Sequence, residues 1–165
     1  MSIMPLYNII ALPGAKLWLQ AKIYQELAGK APVSGERVTL LVQKEETPRK
    51  ALTAGSFQPI GVAGSIIEIN DAFVCIDVQN RVNIEEIAQL RDASFSMTVS
   101  RRADTDDLDP AGAEQRLTEV KERILDFARG KQWEGMLRSF AAHWDNLWTV
   151  GAAMSPWLNV PAAER

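Results

Sequence analysis

Among 165 residues the side chains best suited to chemistry are few: one cysteine, Cys75, and one histidine, His143. A Cys/His zinc site needs three or four such ligands, and a Ser-His-Asp relay needs partners set to orient the ring, so neither can be assembled from this pair. Cys75 also has no partner for an intramolecular disulfide, which points to a reducing compartment, the cytoplasm. Asp104, Asp106, Asp107 and Asp109 invite a calcium reading. An EF-hand loop starting at Asp104 would need Gly at position 109 and Glu at position 115, where the chain has Asp109 and Gln115. The acids read instead as a solvated linker whose last member caps a helix. Gly29-Lys30 and Gly130-Lys131 lack the earlier Gly and the following Ser or Thr of a phosphate-binding loop. Gly61 and Gly64 sit in a strand pattern and read as bulge or close-packing positions, not as a dinucleotide fingerprint. No catalytic, metal or cofactor set emerges from these residues.

Composition agrees with a packed globular chain: 47% apolar, 24% charged, 18 basic against 21 acidic side chains for a formal net charge of −3. Basic pairs occur only at Arg49-Lys50 and Arg101-Arg102, too little for a nucleic-acid footprint at a pI of 5.3. No run approaches the ~20 apolar residues of a membrane span, and the apolar start carries no Lys or Arg before Lys16, so it is not read as a secretion signal. Residues 1–103 carry 11 basic and 10 acidic groups and residues 104–165 carry 7 and 11, so the acid excess lies wholly in the second part. Texture changes at the same place, from Val, Ile and Gly to long stretches of helix formers. Two subdomains are expected, 1–103 rich in β structure and 104–165 helical.

In the first, Tyr7–Leu12 running into Pro13-Gly14 and then Leu17–Leu19 reads as strand, turn, strand. A short helix is expected around Ile23–Leu27, a buried strand at Val38–Gln43, and an exposed connection at Lys44–Gly55. Ile60–Ile69 and Phe73–Val82 form a hairpin across Asn70-Asp71-Ala72. In its second arm Val74, Ile76 and Val78 make one apolar face, while Phe73, Cys75 and Asp77 make a mixed one. Ser94–Ser100 alternates as a half-buried strand. About six strands should close into a small twisted sheet or barrel, because closure removes edges.

In the second, Asp109-Pro110 opens a helix carrying Leu117, Val120, Ile124 and Phe127 on one face and ending near Gly130. A further helix over Trp133–Met154 places Met136, Leu137, Phe140, Trp144, Leu147 and Trp148 on one side. Trp133, Trp144, Trp148 and Trp157 are expected to fill this subdomain's core. Val160–Arg165 looks like the first turn of another helix, which suggests a chain truncated at the start of that helix.

Four segments in order resemble the N-terminal domain of ATP-dependent Lon proteases. Met4-Pro5-Leu6-Tyr7-Asn8-Ile9-Ile10-Ala11-Leu12-Pro13-Gly14 is similar to the opening strand and Pro-Gly turn of that domain, and Val38–Lys44 to its next buried strand. Ile60–Ile66 and Val74–Ile84 are similar to the hairpin and strand that follow, with Gln79-Asn80 standing before Arg81 where the family usually has Gly. The resemblance implies an α+β fold, a small PUA-like β pseudobarrel followed by an α-helical bundle. It further implies a non-catalytic substrate-recognition and assembly domain, binding unfolded or damaged polypeptide within an oligomeric protease whose ATPase and Ser-Lys peptidase domains lie elsewhere. The alternatives are a freestanding Lon-domain adaptor or regulatory protein, and a PUA-like RNA-binding module. The candidate polypeptide-binding residues are Leu17, Trp18 and Leu19, an apolar cluster just after the Pro-Gly turn.

Overall fold

The computed structural model describes residues 2–89, 95–105 and 109–158. The expected terminal turn at 160–165, and Ser94, Asp106 and Asp107, lie outside them. Contacts divide the chain into two compact units. One runs to Asp104 and takes the chain up again from Ala152, and the other is Thr105–Gly151.

The first unit is a mixed six-stranded sheet with one helix: β1 (Ser2–Leu6), β2 (Lys16–Gln20), α1 (Ala21–Ala28), β3 (Arg37–Gln43), β4 (Phe57–Ile69), β5 (Phe73–Gln89) and β6 (Phe95–Arg101). Spatial order is β1-β3-β4-β5-β2, with β6 also on β5. The opening strand therefore lies earlier than the Tyr7–Leu12 expected from the sequence, and it does not form a hairpin with β2. It pairs in parallel with β3, from Ser2 opposite Val38 to Leu6 opposite Val42. A parallel pair requires a crossover, and here β2 and α1 supply it. The segment 7–15 is irregular, with Asn8 and Gly14 both at positive φ, 62° and 88°.

β5 organises the sheet because 17 residues let it serve three neighbours. β4 takes one edge, while β2 (opposite 73–77) and β6 (opposite 82–89) share the other. Bulges between Ala63 and Gly64, Ile66 and Glu68, and Ile84 and Glu86 let so long a ribbon bend. Gly64 sits at one of them. A Cβ there would lie 2.2 Å from the Asp77 carbonyl oxygen, and one on Gly61 would lie 2.7 Å from that of Leu40. Both glycines are close-packing positions.

The bent sheet wraps one core: Met4 and Leu6, Leu17 and Leu19, Val38 and Leu40, Val62 and Ile66, and Val74, Ile76 and Val78 meet in a single cluster. These are the inward residues of five strands at spacing two or its bulged equivalent. The expected small pseudobarrel is a curled sheet that strand pairing alone does not close. β1 and β2 end the sheet without pairing to each other, and α1 packs against both, its Tyr24 fully buried in the cluster. The Tyr24 hydroxyl donates to Ser2 Oγ (3.3 Å), which in turn donates to Glu36 Oε1 (3.0 Å). Lys30 reaches the same carboxylate at 2.5 Å. This chain of bonds ties the helix and its exit to the edge of β1. A second cluster, Leu41, Leu52 and Phe57 with Ile3, Ile84, Ile87, Phe95 and Met97, includes an edge-to-face pair of Phe57 and Phe95 at 5.7 Å. From Ala152 the chain rejoins this unit: Ala152 enters the first cluster, and Leu12 N–H donates to Ser155 Oγ (3.4 Å).

In the second unit Asp109 caps α2 (Pro110–Ala128) as expected, accepting the Gly112 N–H at 2.8 Å with Pro110 in the first turn. Leu117, Val120 and Ile124 are half-buried, but the stripe continues at Ala128, and Phe127 is exposed. The expected helix over Trp133–Met154 is two helices, α3 (Glu134–Ala141) and α4 (Leu147–Met154). Asn146 accounts for the break, because its side chain accepts the Thr149 N–H (2.8 Å) and hydroxyl (3.1 Å) and so begins a new helix. The tryptophan expectation also changes: Trp144 is buried, whereas Trp133, Trp148 and Trp157 are exposed. A broken helix cannot keep one continuous apolar stripe, so residues chosen at continuous spacing part company.

Candidate polypeptide-contact surface

β2 is placed by the Pro13-Gly14 turn. Gly14, in the left-handed region that a β-carbon disfavours, donates its N–H to Val78 O (2.7 Å), and Val78 N–H returns a bond to Ala15 O (2.9 Å). The strand then runs antiparallel beside residues 73–77 of β5.

Alternation along β2 separates the three candidate residues. Leu17 and Leu19 point inward and belong to the core cluster, at 3% and 6% exposure. Trp18 points outward, 51% exposed, flanked on the same face by Lys16 and Gln20. The two leucines hold the strand and the indole is the part a ligand can meet. An apolar triplet in sequence does not form an apolar patch on a strand, since neighbours face opposite ways.

Trp18 lies opposite Cys75 in the register, and Phe73, two residues along on the same face, is its diagonal neighbour. Phe73 is exposed. The hairpin turn that carries Phe73 is held by Asn70, whose side-chain oxygen accepts the Ala72 and Phe73 N–H groups at 3.0 and 2.8 Å. Cys75 has no exposed surface. Burial pushes its thiol up, with Lys16 acting against that and Glu68 and Asp77 adding to it. A thiol so placed stays protonated and inert. The surface is thus half-exposed apolar side chains on a rigid strand and hairpin, rimmed by charges of both signs.

Phe73 could have been read beforehand, because it shares the outward face with Cys75 and Asp77. On β4 it is Glu68, opposite Cys75, that shares this face, whereas Ile69 pairs with Val74 and lies on the other side of the sheet. His143 is exposed, and its Nδ1 lies 2.9 Å from the Ser139 carbonyl oxygen. Among the described residues no group of three or more His, Cys, Asp or Glu is arranged to hold a metal ion, and no helix is long and apolar enough to cross a membrane. A shallow groove of about 350 Å³ is lined by Lys44, Gln58, Glu85 and Glu86 beside Phe57 and Ile84, and the Lys44 ammonium is bonded to the Gly55 carbonyl (3.0 Å).

No family model and no curated protein matches the chain. Solved structures do. The N-terminal domain of Mycobacterium avium complex Lon protease superposes with a TM-score of 0.67 at 12% identity, over 99% of this chain and 85% of that one. A Lon N-terminal domain protein from Xanthomonas campestris aligns at 18% identity over 76% of this chain and 72% of that one, with a TM-score of 0.48. The architecture is α+β, a mixed sheet with four α-helices among the described residues, and it is the fold of a Lon protease N-terminal domain.

Proposed function

We propose that this chain is a substrate-recognition and assembly domain of a Lon-type ATP-dependent protease, holding unfolded or damaged polypeptide without acting on it chemically. The fold shared with a Lon N-terminal domain supports the setting, and a lone buried thiol suits the cytoplasm. The observation that carries the binding role is Trp18, a large aromatic held half-exposed on a strand whose other apolar residues are buried. A folded chain without a partner gains little by presenting an indole on a rigid strand, and aromatic side chains are preferred anchors at interfaces. Unfolded segments differ from native surfaces in offering apolar side chains in extended form, which Trp18 and Phe73 can cover by replaceable contacts. Each contact is weak, and several copies in an assembled protease raise the effective concentration.

The test is binding of a permanently unfolded model protein to the whole chain, with Trp18→Ala as the variant. Loss of a central aromatic anchor predicts an affinity about tenfold lower. The melting temperature should move by no more than a few degrees, since half of the side chain is already in water. Equal binding by the variant would overturn the role given to Trp18.

A further inference from the structure

The sheet of the first unit leaves β2 at an edge, and the hydrogen-bond pattern shows which peptide groups that edge offers. In an antiparallel ladder, residues alternate between those bonded to the neighbour and those facing away. Val78 N–H bonds to Ala15 O and Ala21 N–H to Ala72 O, so the odd positions 15, 17, 19 and 21 face β5. Lys16, Trp18 and Gln20 face away. The Gln20 carbonyl is taken up at the start of α1, but the outward N–H and C=O of Lys16 and Trp18 have no hydrogen-bond partner among the described residues.

An open edge is a template for one more strand, and folded proteins usually blunt it with a proline, a bulge, charges or a covering helix. α1 packs against β2, but it takes up neither outward N–H nor outward C=O of Lys16 and Trp18. The other end of the sheet, β1, contains Pro5. β2 has no proline and no register shift, and its single charge, Lys16, sits at its first residue. The same residues whose peptide groups point outward also place their side chains on the solvent face, so Trp18 offers an N–H, a C=O and an indole to one ligand. That combination selects extended backbone with an apolar side chain beside it.

We propose that β2 receives an extended segment of unfolded polypeptide as an added strand, bonded through the outward peptide groups of Lys16 and Trp18, with an apolar side chain of the segment packed on the Trp18 indole. This rests on the reading that the Trp18 surface binds polypeptide, and it names the form in which the ligand is held. Recognition through main-chain groups is indifferent to the ligand's sequence apart from the side chain at the indole. That tolerance suits a receptor for many unfolded chains.

The experiment uses the whole chain and a labelled ten-residue peptide of alternating valine and threonine, read by fluorescence anisotropy. Two further peptides carry N-methyl groups on all valines or on all threonines, which blocks one hydrogen-bonding edge each and leaves every side chain in place. Strand addition predicts that one methylated peptide binds at least tenfold more weakly while the other stays within about threefold of the parent. Lys16→Pro, which removes an outward N–H and keeps Trp18, should weaken the parent peptide about fivefold with a melting temperature within a few degrees of wild type. If both methylated peptides bind like the parent, or both lose equally, strand addition is overturned and capture by side chains alone stands. If neither the parent peptide nor an unfolded protein binds the wild-type chain, the polypeptide-binding reading itself falls, and strand addition with it.

Discussion

Replacing Gly64 with alanine asks the most of the sheet at a single point. The new Cβ would stand 2.2 Å from the Asp77 carbonyl oxygen and 3.1 Å from both the Asp77 carbonyl carbon and Val78 Cα, all backbone atoms of the adjacent strand. An ordinary contact is above 3.4 Å, so β4 and β5 must part by about 1 Å where the ladder already carries a bulge. Overpacking of this kind costs typically 1–3 kcal/mol. Distortion of the ladder hydrogen bonds at the same point puts the cost at the upper end of that range. A loss of about 3 kcal/mol is expected, a large share of the ~5–15 kcal/mol that holds a domain folded. In urea, with a slope of about 1–3 kcal/mol per molar, the midpoint should fall by about 1–3 M. Far-UV circular dichroism against urea measures it. Gly55→Ala is the control, since its Cβ would meet only Thr53 Oγ1, at 3.8 Å, and it should stay within about 0.5 kcal/mol of wild type. A Gly64→Ala midpoint equal to that of the control would refute the close-packing argument.

Two other perturbations probe the units separately. Asp109→Ala removes the side chain that accepts the Gly112 N–H, and should cost about 1 kcal/mol, seen as faster amide exchange in the first turn of α2; unchanged protection there would count against the cap. Glu36 is pushed up by burial, but hydrogen bonds from Lys30 and Ser2 and the Lys30 charge outweigh this and hold its carboxyl below the ordinary carboxylate range. A depressed folded-state pKa stabilises the fold above the unfolded value and ceases to do so as pH falls through the folded one. The stability gap between wild type and Glu36→Gln should therefore be full at neutral pH and close in acid, below the ordinary range for a glutamate. A gap independent of pH would exclude an ionic contribution from Glu36.

Local signals were read well where the cause is local. Asp109-Pro110 begins a helix because a side-chain acceptor and a fixed φ act within one turn. Asn70-Asp71-Ala72 turns the chain because Asn70 bonds the amides two and three residues on. Gly61 and Gly64 announced close approach. Signals failed where distance decides. The Tyr7–Leu12 run is apolar enough for a strand, but Met4 and Leu6 complete the core opposite β3 and the later residues become a connection. The run from Trp133 to Met154 has helical spacing throughout, yet Asn146 is a better start than an interior residue.

The candidate surface divides in the same way. From the sequence alone come the absence of a catalytic set, the apolar cluster at Leu17, Trp18 and Leu19, and the outward face shared by Phe73, Cys75 and Asp77, because residue type and period two are properties of the chain itself. Tertiary structure decided that Leu17 and Leu19 belong to the core and that Trp18 alone of the three meets water. It also decided that β2 ends the sheet, its outward peptide groups unpaired among the described residues. Which face of a strand is inside, and which strand is last, depends on long-range pairing with β5, formed by residues more than fifty positions away.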